Sequence, residues 1–306
     1  MSPVPTPASN PRLGSGLLLA VAGSVAFSGK AIIVKLAYRH GVDAVTLIMY
    51  RMLFALPLFL AMAWWATYRA PQPIQPLTRR DAWGLLGLGF SGYYLASFLD
   101  FWGLQYISAS LERLILYLNP TLVLLLGWVL YRRRITWHQA GAMALSYAGV
   151  LVVFGHELRL DGAHTALGTL LVLGSAVSYA VYLVYSGEMV KRLGSLRLVG
   201  WASSIACLLC LLQFVVLRPW SAALVPPEVL ALSVLNAVVC TAAPVMMVMM
   251  AIERLGAGLA AQTGMVGPMS TIALGVLLLD EPLNTWVVLG TVLVVSGVLW
   301  VSRQKN

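Results

Sequence analysis

The chain has 306 residues, 60% of them hydrophobic and only 10% charged. A soluble domain carries about a quarter charged residues, so this composition excludes an ordinary water-soluble globule and fits lipid as solvent. The formal charge is +9, but Lys and Arg sit in short gaps between apolar runs and not on a continuous wet face, which excludes a nucleic-acid surface and points to membrane topology.

Residues 1–13 are Pro-rich and polar and are expected to form a disordered tail. A helix crosses a bilayer with about 20 apolar residues, and ten such runs follow, at 14–36, 45–67, 82–104, 108–130, 136–154, 165–187, 196–217, 229–251, 256–279 and 285–302. They are numbered here as spans 1 to 10. Ala20-Val21-Ala22 looks like a leader cleavage site, yet the run stays apolar to Val34, so span 1 is expected to be retained. The longest gap, 68–81, contains APQPIQP, a strong helix breaker. Residues 303–306 are a C-terminal tail. The expected fold is all-α, a ten-helix integral membrane bundle.

With the N-terminus placed in the cytoplasm, thirteen of the 20 Lys and Arg fall on the inner side, three on the outer side (Arg39, Arg159, Arg218) and four within spans. The positive-inside rule then puts both termini in the cytoplasm, with a bacterial inner membrane the expected location.

The two halves repeat. A shift of 148 residues lays Pro120 on Pro268, Gly127 on Gly275 and Gly149 on Gly297, and sets Arg132-Arg133 on Asp280-Glu281. Each half holds five spans, an odd number, so the second copy must enter the membrane inverted. One turn is then cytoplasmic and takes arginine, while its twin faces out and takes acid. The repeats are expected over 14–155 and 156–302. A fainter echo joins GSVAFSGKAIIVK in span 1 to GSAVSYAVYLVYS in span 6.

LERLILYLNPTLVLLLGWVL…AGAMALSYAGVLVV and LAAQTGMVGPMSTIALGVLLLDEPLNTWVVLGTVLVVSGVLWV each combine a mid-helix proline, a short turn and a Gly-rich final helix. These segments resemble the drug/metabolite transporter superfamily, in particular its EamA family of ten-span exporters. Asp280-Glu281-Pro282 matches that family's acidic turn; Arg132-Arg133-Arg134 departs from it, as the inverted topology requires. The resemblance implies a central cavity framed by spans 1–4 and 6–9, spans 5 and 10 at the periphery, and cargo among amino acids and related metabolites.

Besides Lys35, which is expected to snorkel at the end of span 1, five ionisable residues lie inside spans, all toward the outer ends: Lys30, Arg51, Asp100, Glu112 and Arg113. A charge at the bilayer centre costs about 2.5–3.5 kcal/mol, so these side chains are expected to converge away from lipid. Convergence serves structural ion pairing as well as function, but three cations facing two anions leave one positive charge for a substrate carboxylate. The opposite positions of the second repeat, around Tyr182, Ser203, Val248 and Ala260, carry no charge. Tyr50, Tyr94, Tyr117, Tyr179 and Tyr182 lie deep, and a buried phenol needs a hydrogen-bond partner, so they join Asn119 and Gln262 as candidate substrate-binding or gating groups. Tyr93, Ser97 and Asp100 are expected on one helical face, and Glu112 with Asn119 on another. Pro120 and Pro268 each free a backbone carbonyl and are paired hinge candidates. Trp64, Trp65, Trp128, Trp137, Trp220, Trp286 and Trp300 sit near span ends as an interfacial belt.

Other motif matches lack context. The GxGxxG at 87–92 has no preceding strand, and Cys207 and Cys210 form a CxxC inside an apolar helix. His156, Glu157, Asp161 and His164 crowd one outer connection without a second ligand cluster, so no metal site is assigned. No HExxH, GxSxG or Walker A sequence occurs, and no cofactor is expected. The favoured function is a secondary transporter that exports small organic metabolites by alternating access, with amino acids, aromatic or hydrophobic, as best cargo. The alternative is a multi-pass membrane enzyme acting on a lipid or lipid-linked intermediate, which would need a nucleophile or metal set at membrane depth. Expected partners are a small-molecule substrate and the lipid bilayer; the sequence leaves the oligomeric state open, a monomer included.

Overall fold

The computed structural model describes residues 11–68, 76–132, 134–255, 263 and 266–303. Among them every regular element is helical. Span 1 is Pro11–Tyr38 and span 2 Ala44–Tyr68. Span 3 comprises Arg79–Gly89, a π-helical turn Phe90–Leu95, and Ala96–Gly103. Span 4 comprises Ala109–Leu116 and Asn119–Tyr131. Spans 5 and 6 form the stretch Trp137–Leu193, broken at Gly162 with φ 56° and ψ −124°. Span 7 is Ser195–Leu217. Span 8 comprises Pro227–Ala237, a π-helical turn Val238–Ala242, and Ala243–Leu255. Val266–Leu279 belongs to span 9 and Thr285–Arg303 is span 10. Seven of these helices are long and apolar enough to cross a membrane; Val266–Leu279 and Thr285–Trp300 are shorter apolar helices.

Two boundaries differ from expectation. Span 1 begins at Pro11, inside the stretch assigned to the tail, because proline's fixed φ and missing N–H suit a first helical turn. The loop expected between spans 5 and 6 shrinks to a turn at Gly162, where only glycine takes this positive φ without strain.

Other helix starts are sealed by side chains. Thr78 with Asp81, and Thr136 with Gln139, form capping boxes. Asp43 Oδ1 accepts from Val45 N and Thr46 N at the start of span 2.

The inverted repeat reappears in backbone geometry. The π turns begin at Phe90 and Val238, the same 148 positions apart as the paired prolines. Spans 5 and 10 pack through matched contacts. A methyl group at Gly149 would lie 2.6 Å from Gly290 O, and one at Gly297 would lie 2.6 Å from Ala142 O. The shift carries 149 to 297 and 142 to 290, so the two contacts are images of each other. All seven tryptophans of the expected belt are exposed, as lipid-facing rings should be.

One apolar core joins spans 1, 2, 7 and 8 to the end of span 3. A second joins spans 4, 5, 6 and 10.

Candidate functional site

Lys30 comes from span 1, Asp100 from span 3 and Glu112 from the first turn of span 4. Lys30 Nζ lies 2.5 Å from Asp100 Oδ2 and 3.0 Å from Glu112 Oε1. All three are buried, Glu112 completely. One ammonium thus ties together three helices drawn from both apolar cores. Asp100 Oδ1 and Glu112 Oε2 are sealed from solvent with no hydrogen-bond partner in the chain.

Arg51 and Arg113 flank this bridge without joining it. Arg51 Nε donates to Thr241 Oγ1 at 3.0 Å, and its Cζ lies 5.0 Å from the centre of the Phe101 ring. Its Nη1 is buried with no partner. Arg113 Nη2 donates to Ser28 Oγ at 3.1 Å. Its Cζ lies 5.4 Å from the Phe27 ring and 5.3 Å from that of Tyr117. Among the described residues neither guanidinium has a carboxylate within ion-pair distance. The balance of three cations to two anions is unchanged; because Lys30 occupies both acids, the spare positive charge lies with the two guanidiniums outside the bridge.

Span 9 enters this site through Gly267, next to Pro268. A methyl group there would lie 2.6 Å from Arg113 Nη2, 2.7 Å from Tyr117 Oη and 2.9 Å from Ser24 Oγ. Ser28 Oγ donates to Gly267 O at 2.8 Å. A side chain at 267 would displace this polar contact, so glycine serves close approach.

The remaining candidates divide. Tyr117 belongs to the Arg113 site. Tyr50 Oη instead donates to Ala223 O at 2.5 Å and anchors the connection between spans 7 and 8. Tyr94 is half-buried and packs on the exposed ring of Phe90, with centroids 5.4 Å apart. Asn119 Nδ2 donates to Leu116 O at 2.7 Å, filling the break in span 4 that Pro120 follows. Pro120 thus sits at the start of a new helix, in its second position, and Pro268 is the third residue of Val266–Leu279. Tyr179 and Tyr182 stack 5.5 Å apart, and Tyr182 Oη lies 3.3 Å from Tyr93 Oη. That aromatic group joins spans 3, 6 and 7 and stands apart from the ion cluster. The π turn at Phe90–Leu95 breaks the 3.6-residue period, so Tyr93 faces span 6 while Asp100 faces span 1, and the shared face expected for them is lost. Gln262 lies outside the described residues.

The crowded connection between spans 5 and 6 scatters its described groups. His156 stacks near Trp286 and His164 near Tyr106, with centroids 6.0 and 5.9 Å apart. Glu157 accepts from Ser108 N at 3.3 Å and from Ser108 Oγ. Among the described residues no three potential metal ligands cluster. Glu281 accepts from Ala109 N at 2.7 Å and from Ser110 Oγ at 2.8 Å, so the acidic turn of repeat two caps span 4 of repeat one. Negative charge suits a helix N-terminus. Lys35, Glu157 and Glu281 line a small cavity of about 360 Å³ at this end.

A larger cavity, about 790 Å³, lies at the opposite end. Its walls include Leu58, Met62 and Trp65 of span 2, Val238, Ala242 and Met246 of span 8, and the turn Leu193–Arg197. Arg51, Ala55, Leu58 and Met62 follow one helical face, spaced i, i+4, i+7 and i+11. Thr241, which holds Arg51, lies between two wall residues. The Arg51–Thr241 pair is therefore the layer just beyond the inner limit of the apolar cavity.

Sequence reading missed Phe27, Ser24, Ser28 and Thr241. Ser24 and Ser28 stand i, i+4 within the GSVAFSGK segment that ends at Lys30, and that spacing was the available signal. Thr241 gave none, since its placement depends on the π turn.

The sequence profile of the EamA-like transporter family matches residues 14–155 and 166–303. The uncharacterized transporter YcbK of Bacillus subtilis is 32% identical over 288 residues, covering 90% of this chain and 89% of its own. A second uncharacterized transporter of the same organism, YetK, is 22% identical over 234 residues, covering 75% and 71%. A crystal structure aligns with TM-score 0.63 and 20% identity over 94% of this chain and 95% of the other, a likeness of fold.

Proposed function

The chain belongs to the EamA-like transporter family, and from that membership we propose that it exports small organic metabolites, amino acids with aromatic or hydrophobic side chains first among them. Both termini lie in the cytoplasm of a bacterial inner membrane, in keeping with thirteen inner against three outer Lys and Arg. The observation that carries the reading is the one-sided arrangement of the site. A cavity of about 790 Å³ lies at the end bearing the basic turn Lys191–Arg197, while a smaller one of about 360 Å³ and the buried charges of spans 1 to 4 lie toward the other end. This is the layout of an inward-facing state, in which cargo enters from the cytoplasm and waits beneath a closed outer gate. Export then needs the inverted repeats to exchange their conformations, so that the outer layer parts while the cavity closes. Phe90–Leu95 and Val238–Ala242, with the break before Pro120, are where helices can bend.

The test is efflux from proteoliposomes loaded with a panel of radiolabelled amino acids. At least one apolar or aromatic amino acid should leave faster than from protein-free vesicles. Uniformly background efflux across the panel would refute the cargo assignment.

A further inference from the structure

Resting on that reading, we propose that Arg51 and Asp100 form the head-group site for a zwitterionic α-amino acid, the carboxylate on Arg51 and the ammonium on Asp100, with the side chain lying toward the apolar cavity.

Three observations converge. First, Arg51 Nη1 and Asp100 Oδ1 are both buried with no partner in the chain. An unsatisfied donor and an unsatisfied acceptor are costly to keep in a low-dielectric interior. Asp100 precedes Phe101 on span 3, and Phe101 carries the Arg51 guanidinium on its ring, so the two groups belong to adjoining layers. A carboxylate and an ammonium on one carbon supply the acceptor and donor that each lacks. Second, Lys30 is spent on both carboxylates through Asp100 Oδ2 and Glu112 Oε1, and its ammonium makes no bond to Asp100 Oδ1. Third, Arg51 is the buried cation beside the bridge whose helical face runs on into the cavity wall. Its hydroxyl partner Thr241 sits between the wall residues Val238 and Ala242, and Leu58 and Met62 continue its own helical face into that cavity. Those walls are aliphatic and thioether. They suit an apolar side chain, and polarisable methionines adapt to several shapes.

Thr241 is a neutral partner for a charged donor. A carboxylate makes a stronger, charge-assisted bond to a guanidinium than a hydroxyl does. An arriving carboxylate can take Nη1 at once and then compete for Nε. Thr241 thereby acts as a placeholder, satisfying Arg51 between transport cycles without holding it tightly.

The experiment compares L-phenylalanine with 3-phenylpropionate, which lacks the ammonium, and with L-phenylalaninamide, which lacks the carboxylate. Each is measured by thermal shift of the purified full chain in detergent and by efflux from proteoliposomes. Wild type should bind and move phenylalanine better than either analogue. Arg51→Met should weaken phenylalanine and 3-phenylpropionate by about tenfold or more and leave phenylalaninamide nearly unchanged. Thr241→Val, which removes the placeholder together with its bond to Asn236 O, should tighten both carboxylates and slow their release; it also decides the matter if Arg51→Met does not fold. Equal response to all three compounds in wild type, or unchanged discrimination in both variants, would overturn the head-group site while leaving an exporter. Absence of efflux with every compound, alongside the expected thermal shifts, would defeat the export reading and keep the site.

Discussion

Arg132 and Asp280 adopt the same left-handed backbone conformation, with φ of 51° and 58°. They are the two non-glycine residues with positive φ among the described residues, and they lie 148 positions apart, the shift of the repeat. Each ends its helix, span 4 or span 9, before a short turn. Non-glycine residues in this region are uncommon and mildly strained, so two of them at equivalent positions reflect one inherited turn. The shared backbone carries opposite charge because the two turns meet opposite sides of the membrane. Cysteines introduced singly at Arg132 and Asp280 should react with a membrane-impermeant thiol reagent from opposite faces, Arg132→Cys from the cytoplasmic side. Reaction of both from one face would remove the inverted topology.

The crossing of spans 5 and 10 should tolerate no side chain at its centre. A methyl group at Gly290 would lie 2.7 Å from Gly149 O and against Val153 Cγ2. Two backbones meet there, so neither can yield as a flexible side chain would. Gly290→Ala should destabilise the protein by about 1–3 kcal/mol, the usual cost of overpacking. Gly87→Ala, with open space around it, is the matched control and should melt within a degree or two of wild type in detergent. Equal melting of both variants would show that spans 5 and 10 are not packed this way.

Asp43 joins the start of span 2 to the connection after span 7. Its Oδ1 accepts from Arg218 Nε at 3.0 Å as well as from Val45 N and Thr46 N, and Thr46 Oγ1 donates to Oδ2. Burial alone would raise this carboxyl's pKa; the bonds from Thr46 and the charge of Arg218 outweigh it, and the net shift is downward. A carboxyl with a depressed folded-state pKa stabilises the fold above its unfolded value, about 3.9, and loses that contribution as pH falls through the lower folded value. Asp43→Asn should therefore lower the melting temperature equally at pH 7 and pH 5.5, and the gap should close below about pH 4. A gap that persists into strong acid would assign the effect to the cap's hydrogen bonds alone.

Architecture was legible because lipid makes hydropathy a strong signal, and because an odd number of spans forces charge reversal on a repeat. The ion cluster was legible for a related reason: a charge within an apolar run has few places to go, so Lys30, Asp100 and Glu112 could be grouped from depth alone. Their pairing was not. Which face of a helix meets which neighbour depends on its rotation, and the π turn in span 3 rotates Asp100 away from the face of Tyr93. The same effect hid Thr241, which lies within the π turn of span 8. Tyr50 and Tyr94 show the limit of depth as a guide, since hydropathy places a ring along the membrane normal and says nothing of the side it faces.

The Lys30 bridge makes the sharpest energetic prediction. Lys30→Met would strand Asp100 and Glu112 together in a buried site, and breaking a buried pair by removing one partner costs about 3–5 kcal/mol. Glu112→Gln leaves Lys30 paired with Asp100 at 2.5 Å and should cost less. The triple variant Lys30→Met, Asp100→Asn, Glu112→Gln removes every charge of the bridge and should regain most of the stability lost by Lys30→Met, because no uncompensated carboxylate remains. Melting temperature and yield of monodisperse protein in detergent would order the three variants. A bridge that served packing alone would let the triple variant transport as well as fold. One that also sets the outer gate and cargo site predicts a folded triple variant with little or no efflux. A Lys30→Met protein as stable as wild type would show that the two carboxylates find another counter-charge, and the bridge would then lose its place at the centre of the site.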